Sequence, residues 1–181
     1  MKTRLSLVLP VLVLALALLA QASAQVGASA PAPLVVFLVR HAEKQKGGAD
    51  AALTTEGTAR AEVLANSLRS AGIETVHSSN YVRTRDTAAP VAKRLGLETQ
   101  LYDPRDLPAL ATKLRETGGR HLVVGHSNTT PQLTALLGGE PGTPIEEARE
   151  YDRLYVVTSD GASTSTVLLR YGAAFEGAGA R

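Results

Sequence analysis

Two apolar runs that each end in histidine constrain this chain more than any other feature of its 181 residues. "LVVFLV" (Leu34 to Val39) runs straight into Arg40-His41, and "HLVVG" (His121 to Gly125) runs into His126. Both runs are short, aliphatic and rich in β-branched residues, with no polar alternation. Such runs read as strands covered on both faces. A buried strand interior gains nothing from neighbouring cationic side chains, so Arg40, His41 and His126 belong at strand ends, where a pocket can use them.

The rest of the chain supplies the elements that would cover those strands. Thr54 or Thr55 can cap a helix running to about Ser70, with Ala61, Leu64, Ala65 and Leu68 at helical spacing and Gly72 as its stop. "ETVHSS" (Glu74 to Ser79) reads as a second strand, followed by a helix from about Tyr81 to Leu95 that Gly96 closes. "LETQLYD" reads as a third, short strand, and a helix then starts near Asp106 and stops at Gly118-Gly119. "TPQLTALLGG" fits a short helix that tolerates Pro131 in its first turn. At the end, "RLYVVT" and "STSTVLLRY" flank "SDGA", a hairpin signal. Strands alternating with helices predict an α/β fold of three layers, α/β/α: a mostly parallel sheet, helices on both faces, and a C-terminal antiparallel hairpin. In such sheets ligands bind beyond the carboxyl ends of the strands, which is where His41 and His126 stand.

The N-terminus carries a different signal. Lys2 and Arg4 are the only charges before an apolar run of 16 residues, Leu5 to Ala20, and Ala22-Ser23-Ala24 follows with a small-x-small pattern. This is the pattern of a cleaved signal peptide, and the run is shorter than the ~20 residues of a membrane span. The expected organisation is a signal peptide over 1–24, cut after Ala24, and a linker over 25–33. A single domain over 34–172 and a flexible tail over 173–181 complete it. A periplasmic or secreted protein follows, with no stable membrane association after cleavage; an uncleaved anchor is the alternative. Without Lys2 and Arg4, the 19 basic and 17 acidic residues become 17 and 17. That balance, the lack of a basic stripe and only five Tyr and two Phe argue against a nucleic-acid partner. With no cysteine there is neither a disulfide framework nor a thiolate metal site.

Arg40, His41, Arg83 and His126 together suit an oxyanion. Two guanidinium groups offer fixed forks for phosphate oxygens. One imidazole can act as a nucleophile, and a second can hydrogen-bond the transferring group. The helix after Ser78-Ser79 points its N-terminus to the same edge, where free N–H groups favour an anion. Four polar residues that merely finish their strands are the plainer alternative.

Four segments in order resemble the histidine phosphatase superfamily, which includes phosphoglycerate mutases, acid phosphatases and small bacterial phosphohistidine phosphatases. They are "LVRHAEK" (Leu38 to Lys44), "LTTEG" (Leu53 to Gly57), "SSNYVRTRDTA" (Ser78 to Ala88) and "VVGHSN" (Val123 to Asn128). The resemblance implies a metal-independent phosphatase that needs no cofactor and hydrolyses a phosphomonoester, or a phosphoramidate, through a phosphohistidine on His41. Arg40, Arg83 and His126 would clamp the equatorial phosphoryl oxygens. Arg83, not Arg85, falls on the motif arginine; Arg85 is expected at the surface. In the larger members a carboxylic acid after the third strand protonates the leaving group. Asp103 is the expected equivalent here, with a turn before Pro104 as its other reading, and Asp106 is expected to cap a helix.

Glu43 either orients the site or is a solvated loop carboxylate. Asn128 either lends its amide to the phosphate or caps a helix. His77 stands where it can border the pocket, and His121 reads as structural. Asn80 and Tyr81 replace the family's usual Pro and Leu. The implied partner is a small phosphorylated substrate or a phosphoprotein. Phosphoglycerate mutase-like transfer, and a phosphate-binding module without turnover, are the alternatives. Oligomeric state is not legible.

Overall fold

β1 (Leu34–Arg40) holds the middle of the molecule because both of its faces are apolar. In the computed structural model, which describes residues 33–177, it pairs in parallel with β4 (Gly119–Gly125) on one side. On the other side it is antiparallel to β5 (Arg153–Ser159). β2 (Thr75–Ser79) and β3 (Thr99–Tyr102) extend the parallel part, and β6 (Thr164–Arg170) closes the hairpin with β5. The six-stranded order is β3-β2-β4-β1-β5-β6. The expected mostly parallel sheet with an antiparallel hairpin is thus what the chain forms, and the hairpin also joins the sheet through β1.

Strand alternation divides the core into two layers. Phe37, Val39, Val76, Leu122 and Val124 face α1 (Thr55–Ser67) and α2 (Val82–Leu95), meeting Leu64, Ala65, Ala88 and Val91. Val36, Leu38 and Val123 face the opposite way, onto α3 (Leu107–Thr117) and α4 (Thr129–Leu136), where Leu107, Leu110, Leu114 and Leu133 pack. Burying each such side chain contributes about 1.5–3 kcal/mol, so a charge at Leu38, fully buried, would break the fold.

The caps follow the sequence closely. The Thr54 hydroxyl accepts from Gly57 N, and the Asp106 carboxylate accepts from Ala109 N. α1 stops at Ser67, three residues short of the expected end. β6 lies at the outer edge of the sheet, and Val167, Leu168 and Leu169 on it are exposed.

The expected signal peptide (1–24) and the linker to residue 32 lie outside the described residues. At the other end, hydrogen bonding runs past residue 172: Ala173 O accepts from Arg60, and Phe175 N donates to Asp152. The described part of the expected tail is therefore tied to the domain.

Candidate active site

The parallel register sets the two histidines side by side. Arg40 lies opposite Gly125, and His41 N continues the ladder by donating to Gly125 O at 2.9 Å. His41 and His126, the next residues out, then face each other with ring centroids 5.5 Å apart, edge to face. Gly125 has to be glycine here: a Cβ would lie about 3 Å from the Thr129, Tyr102 and Thr130 side-chain oxygens. Gly57, in the second matched segment, lets the turn after His41 cross the first turn of α1. A Cβ there would meet the Glu43 carbonyl at 2.1 Å.

His41 is buried, and its Nδ1–H donates to its neighbour's carbonyl, Ala42 O, at 2.8 Å. That contact assigns the tautomer, leaving the lone pair on Nε2. Burial pushes the imidazole down to about 3; Arg40, His126 and Arg83 push the same way, and the Ala42 bond opposes them. The ring is therefore neutral and nucleophilic near pH 7 without any base. Thr87 fastens this end of β1 to α2: its hydroxyl accepts from Ala42 N at 3.0 Å and donates to Arg83 O at 2.7 Å.

His126 is held from behind. Its Nε2 lies 2.9 Å from Ser79 Oγ, which reaches Thr84 Oγ1 at 3.1 Å, both of these side chains fully buried. On its other side Nδ1 lies 3.4 Å from Arg83 Nη2. Burial and then Arg83 bring His126 down to about 4. Arg83 also donates to Ala49 O and stacks on Tyr81, while its buried Nε has no partner.

His41, Arg83, His126, Ser127, Asn128 and Glu147 share the lining of one open hollow of about 540 Å³, with Lys44 and Arg105 at its margin. Of the residues expected there from sequence, His41, Arg83, His126 and Asn128 are brought together. Asn128 stands at the start of α4, yet its side chain caps nothing; it faces the hollow instead.

Arg40 departs from expectation. Its guanidinium is buried, not offered to the hollow. Nη1 donates to the carbonyls of Glu150 (3.0 Å) and Glu146 (3.3 Å), and Nη2 donates to that of Glu147 (2.6 Å). It stacks 4.0 Å over the Tyr151 ring and pairs with the Glu147 carboxylate at 3.3 Å. Only Nε remains unpartnered. The physical reason is the return of the 146–151 segment across the end of β1, which presents three carbonyls to one cation.

Asp103 departs further. It lines an adjoining hollow with Asn80 and Leu101, which shares Tyr81, Pro104 and Arg105 with the histidine hollow, and its carboxylate is chelated by Arg105 at 2.9 Å. That hydrogen bonding lowers it to about 2, so it is ionised, the wrong state for a proton donor, and it is not among the residues that line the histidine hollow. The N-terminus of α2 is not open to an anion either, because the Asp50 carboxylate accepts from Val82 N at 2.6 Å.

Glu43 neither orients the hollow nor floats in solvent. It pairs with Arg60 at 2.7 Å, and Arg60 in turn reaches Tyr171 O and Ala173 O. Arg85 bonds Asn80 outside the hollow. His77 is buried against His121 on the sheet, Nε2 to Nδ1 at 3.2 Å, and is not part of the lining of the histidine hollow. Asp106 caps α3 as expected.

Sequence reasoning missed Glu147, the one carboxylate among the described residues that line the hollow, which also accepts from Ser127 Oγ. It lies in "IEEARE", a loop of charges that no motif distinguishes. Ser79, which holds His126, was legible as the second serine of the "SSN" segment.

Comparison with known proteins covers the same ground. The family model of the histidine phosphatase superfamily (branch 1) matches residues 36–105, which carry Arg40, His41 and Arg83. The chain is 32% identical to the probable phosphoglycerate mutase GpmB of Photorhabdus laumondii over 138 residues, 68% of this chain and 59% of that one. It is 38% identical to the GpmB of Yersinia enterocolitica over 79 residues, 40% of this chain and 36% of that one. The match thus spans less than two thirds of these curated relatives. Among solved structures, the protein histidine phosphatase SixA complexed with tungstate superposes with a TM-score of 0.60 at 24% identity, over 76% of this chain and 96% of that one. A mycobacterial glucosyl-3-phosphoglycerate phosphatase superposes with a TM-score of 0.57 at 16% identity, over 78% of this chain and 100% of that one. The solved structures establish the fold, and the sequence matches run through the strand that ends in His41: the chain belongs to the histidine phosphatase superfamily.

Proposed function

We propose that this protein is a phosphatase that hydrolyses a phosphomonoester through a phosphohistidine on His41, without a metal ion. The observation that carries this reading is the fixed tautomer of His41: a neutral ring whose Nδ1–H is committed to Ala42 O, leaving Nε2 beside His126 and Arg83. In the first step Nε2 attacks phosphorus and the P–O bond to the alcohol breaks. Arg83 and His126 hold the equatorial oxygens as charge spreads over them. Arg40 stands one residue behind, its cation adding to the positive potential that also keeps His41 neutral. Glu147, its side chain open to solvent, relays a proton from it to the departing alcohol oxygen. In the second step water attacks the phosphohistidine, Glu147 takes the water's proton, and the P–N bond breaks to release phosphate. Pocket cations Arg83, Lys44 and Arg105 serve where other phosphatases use metal ions.

The test is phosphate release from an aryl phosphate with chelator present, and an alkaline denaturing quench at early times to trap the acid-labile phosphoprotein. Turnover with a phosphohistidine on Nε2, both lost in His41→Ala of unchanged circular dichroism, is expected. Turnover that survives His41→Ala overturns the reading. Folded protein that binds phosphate without turnover would favour a binding module. The mutase reading, favoured by the names of the curated relatives, requires transfer of the trapped phosphoryl group to a second organic acceptor faster than to water.

We propose further that the chain is exported and processed to begin at Gln25, a reading supported by the basic, apolar and small-residue pattern of residues 1–24. N-terminal sequencing of protein from the periplasmic and extracellular fractions tests it; an intact Met1 terminus overturns it.

A further inference from the structure

A second hollow of about 450 Å³ opens beside the histidine pocket, and the two share Ser127 and Asn128 in their walls. Its other walls are Pro131, Gln132 and Ala135 of α4 and Pro141, Gly142, Pro144 and Ile145 from the loop before β5, so that Gln132 is the polar side chain in an otherwise apolar stretch. Among the described residues no charged side chain lines it, whereas the histidine pocket next door carries two arginines, a lysine and a glutamate. One continuous surface therefore passes from strongly polar to apolar across two residues.

The loop that forms the outer wall is held in place from the core. The buried Arg153 guanidinium donates to Thr143 O at 2.6 Å and Pro144 O at 3.3 Å, and the Tyr155 hydroxyl donates to Pro141 O at 3.0 Å. Arg153 is itself clamped by buried Glu150 at 2.6 Å. Ile145 is anchored in the core layer under α3 and α4. A prolyl wall fixed by side chains from β5 is preorganised, so a ligand that fills it spends little on ordering it.

The position of Glu147 gives the groove its direction. Its carboxylate accepts from Ser127 Oγ, and Ser127 rims both hollows. A proton donor at that junction stands where the ester oxygen lies if phosphate occupies the histidine pocket and the alcohol portion extends into the groove. We propose that the groove is the leaving-group subsite, and that the substrate is an amphiphilic phosphomonoester whose alcohol carries an apolar group. The proposal rests on the phosphatase reading for its orientation.

The experiment separates the two. Alkylphosphonates from methyl to octyl carry a C–P bond that is not hydrolysed, so their binding to the full chain, followed by calorimetry, reads the groove without turnover. Each methylene that enters apolar surroundings tightens binding by up to about fourfold, with an increasingly negative heat-capacity change. The expected result is a steady fall in Kd along the series until the groove is filled. Ala135 is exposed on α4, and Ala135→Gln should flatten that slope while leaving methylphosphonate binding unchanged. A Kd that does not change with chain length, or a slope unaffected by Ala135→Gln, overturns the proposal. The phosphohistidine trap reports independently on the phosphatase reading, so failure of one is not mistaken for failure of the other.

Discussion

Glu147→Gln is the sharpest probe of how this pocket works. The substitution keeps the backbone carbonyl that Arg40 uses and nearly the same shape, and removes only the titratable oxygen. Two effects follow, and their sizes do not overlap. The ion pair with Arg40, at 3.3 Å with the carboxylate side chain 68% exposed, is worth about 0.2–1 kcal/mol after solvent screening, less than about fivefold in any rate. Loss of a proton donor to a poor leaving group is worth about 10²–10⁴-fold, or roughly 2.7–5.5 kcal/mol. The assay is kcat/KM, which covers the chain of events up to departure of the alcohol, measured for an alkyl phosphate and for p-nitrophenyl phosphate. We expect a loss of at least about 100-fold on the alkyl ester. The nitrophenyl ester, whose leaving group needs no proton, should stay within about fivefold. KM should fall for both, because a negative charge has left a pocket that binds a dianion. Equal losses on the two esters, or a gain on both, would refute the donor role. A gain on both would mean that Glu147 competes with substrate for the cations around it.

Three further outcomes follow from the same geometry. Asp103→Asn should leave the ratio of alkyl to aryl turnover unchanged, since that carboxylate is ionised by Arg105 outside the pocket; a selective loss on alkyl esters would restore it as the acid. Thr87→Val, close to isosteric, strands a buried N–H at Ala42 and should lower stability by about 1–3 kcal/mol in denaturant titration. It should also lower kcat, because the same hydroxyl ties His41's strand end to Arg83; unchanged kcat would remove its positioning role. Acid should destabilise the fold before the carboxylates titrate. His77 is pushed down to about 4 by burial and then by His121 and Lys113, so between pH 6.5 and 4 the unfolded chain binds a proton that the folded chain refuses. His41 and His126 shift in the same direction. Stability should be full above pH 6.5 and fall on the way to pH 4, and a flat Tm across that window would contradict the burial of these rings.

What could be read from the sequence divides along the range of the interactions involved. Apolar runs, caps and helix spacing are local, and they located every strand and helix between Leu34 and Arg170 to within a few residues. The pairing of His41 with His126 followed from two strand ends and one topological rule. Arg40 shows where this stops. Its position was legible, but the destination of its guanidinium depends on three carbonyls more than a hundred residues later, in a loop without any pattern. Asp103 failed for the opposite reason: the partner that disables it stands only two residues away, and nothing in "DPRD" distinguishes a chelated carboxylate from a free one. Glu147 was invisible because a surface loop rich in Glu and Arg looks the same whether or not one of its members turns into a pocket.

The exposed edge of the sheet has a consequence for how long this protein lasts. On β6 the side chains of Val167, Leu168 and Leu169 stand in solvent beside a row of backbone groups that no other strand among the described residues pairs with. One arginine, Arg170, is the only charge on that strand, and no proline interrupts it. Such an edge pairs readily with another of its kind. Inactivation on heating should therefore be governed by encounters between molecules, faster at higher protein concentration, and not by the free energy stored in the two core layers. Val167→Lys would lengthen the protein's lifetime without touching a single residue of the histidine pocket.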